Sequence, residues 1–247
     1  RSATIVQPMS KVSADLVRRI YPVEDSRLFM TSWGADTKFF RPDLETISLR
    51  EKLGVPSGLV ILSFRALEPY YRIDMIIQAF KMISDKHKDV TLVIGNNGPL
   101  LHDLKQLCES LEINDRVVFT ETLSDKEMAQ VFSMADIYVQ CPLSDGVAIA
   151  GLQAIASGLP IIANDVGETR AIINNDVNGI LLNETNDPKQ YAEAFERLIM
   201  DDELRIQMSA ESRKLSEAKH DRSKILSKFE ELFVALSQGA TNLESIF

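Results

Sequence analysis

From about residue 58 onward, short apolar runs alternate with longer amphipathic stretches, and this alternation limits the fold more than any other feature. LVILSF reads as a strand, and IDMIIQAFKMISDKH follows as a helix with apolar residues at 73, 75, 76, 77, 80 and 83. VTLVIG, RVVFT, DIYVQC, LPIIAN and the short GILLN read as further strands. Between them, LLHDLKQLCESLEI, DKEMAQVFSMA, residues 150–157 and ETRAIINN read as helices, and two more begin at Pro188 and Asp201. Strands alternating with helices of about 10 to 15 residues imply βαβ units and a parallel sheet. The crossovers are expected to be right-handed. The last 35 residues, with Ile225, Leu226, Phe229, Leu232, Phe233 and Leu236, read as one amphipathic helix.

Residues 1–42 differ from the rest. ATIVQP is a short apolar run, and SKVSADLVRRIYP reads as a helix with a Ser cap that closes before Pro22. RLFMTSWGADTKFFRPD gives a short strand, a Gly34 turn and a Pro stop. The 247 residues suit one large domain or a domain with appendages, and 45% hydrophobic content suffices for a full core. The net charge of -9 argues against a nucleic-acid partner. Cys108 and Cys141 sit in apolar contexts without metal-ligand spacing, which predicts buried reduced thiols and a cytoplasmic protein. No apolar run approaches the roughly 18 residues of a membrane span. His87, His102 and His220 lie in charged, helix-like surroundings and are expected at the surface. No Ser-His-Asp set and no metal site can be assembled.

The stretch from Pro142 to Arg170, PLSDGVAIAGLQAIASGLPIIANDVGETR, reads as loop, helix, strand and Gly turn after the strand DIYVQC. In an open α/β sheet, ligands bind where loops leave the carboxyl ends of strands. Asp145-Gly146 at the strand-to-helix junction suits either phosphate approach or an ordinary βα turn.

This stretch resembles the donor-binding core of GT-B glycosyltransferases, especially those of family 4. That family has Pro-Ser, a short gap, Glu-Gly-Phe-Gly, then Glu-Ala-Met-Ala-x-Gly-x-Pro. Here Pro142, Ser144-Asp145-Gly146-Val147-Ala148 and Gln153-Ala154-Ile155-Ala156-Ser157-Gly158-Leu159-Pro160 stand in that order. Asp145 and Gln153 keep the family's spacing but change both glutamates. Gly34, Asp36, Phe40 and Pro42 match the family's hinge loop, Gly95-Asn96-Asn97-Gly98-Pro99 its Gly-x-Gly-Pro turn, and Asn164-Asp165-Val166-Gly167-Glu168 its Thr-Asp-Val-Gly-Gly.

The resemblance implies an α/β fold: a Rossmann-like, doubly wound parallel sheet forming the C-terminal half of a GT-B fold. Residues 1–42 would be the tail of the N-terminal domain and the hinge crossing. Residues 43–215 would be the donor-binding domain, and 216–247 a helix crossing back. The chain begins at Arg1 rather than Met, and a piece of a longer protein is expected. The implied reaction is sugar transfer from a UDP- or GDP-linked donor to a glycan or lipid-linked acceptor. It would proceed with retention, without a cofactor or metal, in glycan or polysaccharide biosynthesis. The acceptor, and any peripheral membrane association, would fall to the N-terminal domain.

By the same resemblance, Asp145 and Arg65 are the candidate catalytic residues. Asp145, Gly146, Val147 and Ala148 would approach the sugar and diphosphate. Gln153 stands where a glutamate grips the ribose diol; its amide offers one acceptor oxygen and no charge. A solvated or helix-capping polar residue is the alternative there. Arg65 takes the place of the family's diphosphate arginine, with Phe64 where glycine is usual. No lysine follows; Tyr71 or Arg72 occupies that neighbourhood, and Arg72 would bring a fork in place of a point charge. The alternative has Arg65 capping a strand edge and Arg72 solvated. Gly95, Asn97, Thr120 and Leu123 are the remaining donor-binding candidates, and Glu121 stands where glycine is frequent. Two rivals remain: a non-catalytic partner subunit with a degenerate donor site, and a GT-B-shaped epimerase, against which the Asp145–Pro160 pattern speaks.

Overall fold

The computed structural model of the chain describes residues 3–183 and 187–241. Six strands form one parallel sheet: β1 (Leu59–Phe64), β2 (Val90–Gly95), β3 (Val117–Glu121), β4 (Ile137–Gln140), β5 (Ile161–Asn164) and β6 (Gly179–Leu182). The strand order is β3-β2-β1-β4-β5-β6, the doubly wound order expected for a Rossmann-like fold. The chain winds outward from β1 to β3, returns, and lays β4 against the other side of β1, with Ile61 opposite Ile137 and Leu62 opposite Tyr138. The winding reverses there, and a crevice opens at the strands' carboxyl ends.

The strands bury both faces because successive side chains point to opposite sides. Ile61, Ile94, Val139 and Ile162 face one core with α3 (Ile73–Ser84), α4 (Leu101–Ser110) and α7 (Pro188–Met200). Leu62, Val93, Tyr138 and Ala163 face the other with α2 (Ile47–Leu53), α5 (Asp125–Met134) and α6 (Ile149–Ala156). Helix starts follow local chemistry. Ser124 and Glu127 form a capping box on α5, and Ser10 and Ser13 another on α1 (Lys11–Ile20). Asp187 caps α7, with Pro188 in its first turn. Cys108 and Cys141 are buried free thiols, as expected. Among the described residues, no helix is long and apolar enough to cross a membrane.

Three local readings need correction. ETRAIINN makes only a single 3-10 turn at Thr169–Ala171. The Asn178 side chain accepts from Asn174 N at 2.7 Å and donates to Ile172 O at 3.0 Å, so these bonds replace a helical ladder. The C-terminal stretch is broken. Helix α8 (Asp202–Leu215) passes into a π turn at Ser216–His220, and α9 (Arg222–Ser237) restarts on an Asp221 cap. Ile225 and Leu232 are buried on α9, whereas Leu226 and Phe233 are 52% and 65% exposed. Residues 27–31 form no full strand; Leu28 makes a single bridge with Val6.

The segment ahead of β1 is fastened to the α8–α9 junction. Ala35 N donates to His220 O at 2.8 Å, and Arg222 N to Ala35 O at 2.9 Å. Arg213 of α8 donates to Phe40 O and Thr37 O, each at 3.0 Å, and to Ala156 O at the end of α6. One guanidinium thus closes three carbonyls on two separate pieces of chain. Arg213→Ala is expected to lower stability by about 3 kcal/mol in urea unfolding, because buried acceptors lose a charged donor together.

Candidate functional site

A cleft of about 520 Å3 lies over the carboxyl ends of β1 and β4. Phe64, Arg65 and Ala66 line it from the end of β1, and Asp145, Val147 and Ala148 from the loop after β4. Ile149, Ala150 and Gln153 come from α6, Tyr71 precedes α3, and Asn96 follows β2. Thus Arg65, Asp145, Val147, Ala148 and Gln153, five separate sequence candidates, converge on one space.

Its centre is an ion pair. Arg65 Nη2 lies 2.9 Å from Asp145 Oδ2, with side chains only 9% and 15% exposed. The Arg65 guanidinium also covers the Tyr71 ring, 4.2 Å from its centroid. Burial opposes the charge on Arg65, but Tyr138, Asp145 and Tyr71 together hold its pKa above the ordinary arginine value. Burial raises the Asp145 carboxyl, against the opposing pull of Arg65 and the Gly146 amide. Asp145 Oδ2 is itself buried, and no N–H is aligned on it, so the contact is a close charge pair with hydrogen-bonding capacity to spare.

The loop carrying Asp145 is gripped by backbone. Glu168 N donates to Asp145 O at 3.0 Å. Gly167, at φ +55°, passes so close that an added Cβ would fall 1.8 Å from that same oxygen. Gly146, by contrast, has open space where a Cβ would stand. Of the two glycines flanking the Asp145 contact, Gly146 and Gly167, geometry demands Gly167. Helix α6 starts at Ala148 without a side-chain cap, leaving its first-turn N–H groups facing the loop. The Gln153 side chain, in a residue 8% exposed, makes no hydrogen bond among the described residues.

The other candidates sit elsewhere. Arg72, at φ 51°, lies beside the Cys141 thiol and Tyr191 and does not line the cleft. Gly95 packs under Phe64, whose ring would be 2.0 Å from an added Cβ, so the bulky residue at 64 and the glycine at 95 fit each other. Asn97 accepts from Leu67 N through its carbonyl, and Thr120 donates to Glu121 O at 3.2 Å. Leu123 packs on the α5–α6 core. None of these three lines the cleft. Met9, Trp33 and Met128 line it without having been singled out, and Asn96, named only as part of the Gly95–Pro99 turn, lines it as well. The signal for Trp33 was available, since it is the sole tryptophan and precedes the Gly34 turn. The histidines also need correction: only His102 is exposed. His87 is buried with Nε2 3.4 Å from Glu196 Oε1, and His220 is buried with Nε2 3.2 Å from Ala171 O. Among the described residues, no three His, Cys, Asp or Glu side chains gather to hold a metal.

Residues 46–215 match the family of glycosyl transferases, group 1. The chain belongs to that family. An alpha-monoglucosyldiacylglycerol synthase of Streptococcus pneumoniae is 31% identical over 148 residues, which cover 58% of this chain and 34% of the relative. A D-inositol 3-phosphate glycosyltransferase of Xylanimonas cellulosilytica is 26% identical over 223 residues, covering 87% of this chain and 53% of the relative. The chain thus spans about half the length or less of these two curated relatives. The fold matches Anabaena HepE, solved in complex with UDP, at TM-score 0.83 and 19% identity, over 94% of this chain and 64% of that one. In this group 1 glycosyl transferase chain, Gly167→Ala forces Asp145 to move. It is expected to cost about 2 kcal/mol or more in urea unfolding, from the clash and the left-handed φ together.

Proposed function

We propose that this chain is the donor-binding part of a retaining glycosyltransferase of family 4 type, acting on a UDP- or GDP-linked sugar. The observation that carries the reading is the convergence of Arg65, Asp145, the uncapped start of α6 and Gln153 on the cleft between β1 and β4. The diphosphate would lie between the Arg65 guanidinium and the first-turn N–H groups of α6. As the bond from the anomeric carbon to the diphosphate breaks, its oxygens gain charge. Arg65 meets that charge in a setting of low polarity, where fixed charges stabilise most. Asp145 would hold the sugar, together with the backbone at Gly146–Ala148, and Gln153 the ribose. Charge is met by protein groups in this reading, without a metal. Residues 43–215 would form the donor domain, with 1–42 as hinge. A glycan or lipid-linked acceptor would come mainly from a preceding domain. The buried free thiols fit a reducing compartment, and we place the activity in the cytoplasm.

A second reading has one observation in its favour. Arg72 lies away from the cleft, so Arg65 is the only cation among the described lining residues, and Asp145 already neutralises it. A partner subunit with a degenerate donor site would look like this. Ligand-observed NMR with UDP, GDP, ADP and CDP in parallel separates the two. Saturation transfer to UDP or GDP, lost in Arg65→Ala, is expected for a working donor site; silence from all four in folded protein supports the degenerate one. Gln153→Glu is expected to tighten nucleotide binding about fivefold, since a carboxylate accepts two charge-assisted bonds from a diol. Unchanged or weaker binding would remove Gln153 from the ribose.

A further inference from the structure

We infer that Tyr71 and Tyr138 are positioning residues that hold the Arg65 guanidinium in place, so that it keeps its direction when its charge partner changes from Asp145 to a diphosphate. The consequence for the diphosphate rests on the proposed donor site; the grip on Arg65 does not.

Arginine has a long, flexible side chain, and much of its rotamer freedom must be lost before it meets an anion at a fixed place. The ion pair with Asp145 cannot supply that order throughout, because Arg65 would have to release Asp145 to take the diphosphate. Two neutral phenols remain, one from each face of the sheet. Tyr71 packs on the core of α3, α4 and α7, and Tyr138 belongs to the core of α2, α5 and α6. The Tyr71 ring lies against the guanidinium, 4.2 Å from its centroid, and no incoming anion competes for that contact. The Tyr138 side chain is wholly buried on β4. Its hydroxyl donates to Phe64 O, the carbonyl next to Arg65, at 3.4 Å, and its oxygen keeps lone pairs for the guanidinium. Burial raises the phenol's pKa and the Arg65 charge opposes that rise, so the two groups interact.

Both placements carry a cost that packing alone does not explain. A buried phenol gives up water, and Phe64 O at 3.4 Å is a weak substitute. Phenylalanine would stack on Phe132, 5.8 Å away between centroids, equally well. Tyr71 lines the cleft while the next residue, Arg72, takes a left-handed conformation at φ 51°. Strain of that kind persists where the surroundings over-determine it. Here Leu143 N, in the loop that carries Asp145, donates to Tyr70 O at 3.0 Å. The Tyr70 ring in turn meets Tyr71 edge-on, 5.6 Å between centroids. The strained turn, the loop after β4 and the guanidinium are thus fixed together.

The test reads Arg65 itself. In the ligand-free chain its 15Nε–1Hε NMR signal is expected to be resolved and slow to exchange with water. Tyr138→Phe keeps the ring and removes the oxygen; Tyr71→Leu removes the ring. Each is expected to move that signal toward the position of free arginine and to speed its exchange. Tyr138→Phe is isosteric, so the test survives if Tyr71→Leu fails to fold. In calorimetric titrations, Tyr138→Phe is expected to weaken UDP binding about tenfold and to leave uridine binding unchanged. Tyr71→Phe, which keeps the ring face, is expected to restore most of what Tyr71→Leu loses. In an Arg65→Lys background, where the planar group is gone, Tyr138→Phe is expected to have no further effect on UDP. An Arg65 signal unmoved by the variants, equal losses for UDP and uridine, or a further loss in the Arg65→Lys background overturns the positioning role. If the signal moves as expected but UDP binds the wild-type chain no better than uridine, the grip on Arg65 stands and the donor reading falls.

Discussion

The buried charge pair between Arg65 and Asp145 is the interaction on which the ligand side of this molecule depends. It joins the end of β1 to the loop after β4, across the point where the sheet's winding reverses. Without Asp145, Arg65 would be an almost buried cation with an aromatic ring as its main neighbour, and breaking a buried pair from one side costs about 3–5 kcal/mol. Without Arg65, Asp145 would be a carboxylate held in place by backbone and desolvated. The pair is therefore both a structural tie and a charge available for exchange. In the proposed reading, an incoming diphosphate would offer Arg65 a stronger anion, and Asp145 would have an oxygen free to turn toward a hydroxyl.

The surroundings hold this pair in a narrow geometry. Glu168 N and Gly167 fix the Asp145 backbone, Tyr71 covers the guanidinium, and Phe64 seats on Gly95 beneath it. Three of the five described non-glycine residues with positive φ lie at this edge: Arg72 before α3, and Asn96 and Glu121, which bridge to each other after β2 and at the end of β3; Glu112 and Asp176 lie elsewhere. Each such residue costs roughly 1–2 kcal/mol relative to a relaxed backbone. Strain of this kind concentrates where loops have been shaped for a ligand. Glu121 offsets part of it by pairing with Lys105 at 2.9 Å.

The sheet was legible because β1, β2, β4 and β5 are nearly continuous apolar runs, the mark of strands covered on both faces. The alternation of those runs with helices pointed to a parallel sheet, whereas the strand order and the division into two cores are decided by tertiary packing. The site was legible where sequence neighbours carry it, as with Asp145, Val147, Ala148 and Gln153. It was less legible where tertiary packing decides. Nothing local in Tyr70-Tyr71-Arg72 reveals that Tyr71 would face the cleft and Arg72 the Cys141 side, since a left-handed turn at Arg72 sets both. ETRAIINN has helical composition, yet the Asn178 side chain captures its backbone. His220 sits among charged residues in sequence, but the α8–α9 break folds it inward against Ala171.

The most direct measurement is calorimetric titration of the chain with UDP and with uridine under the same conditions. If Arg65 and the start of α6 read the diphosphate, UDP will bind at least about tenfold tighter than uridine, the equivalent of one or two charge-assisted hydrogen bonds. Equal affinities, or binding of neither, would contradict a diphosphate site centred on Arg65.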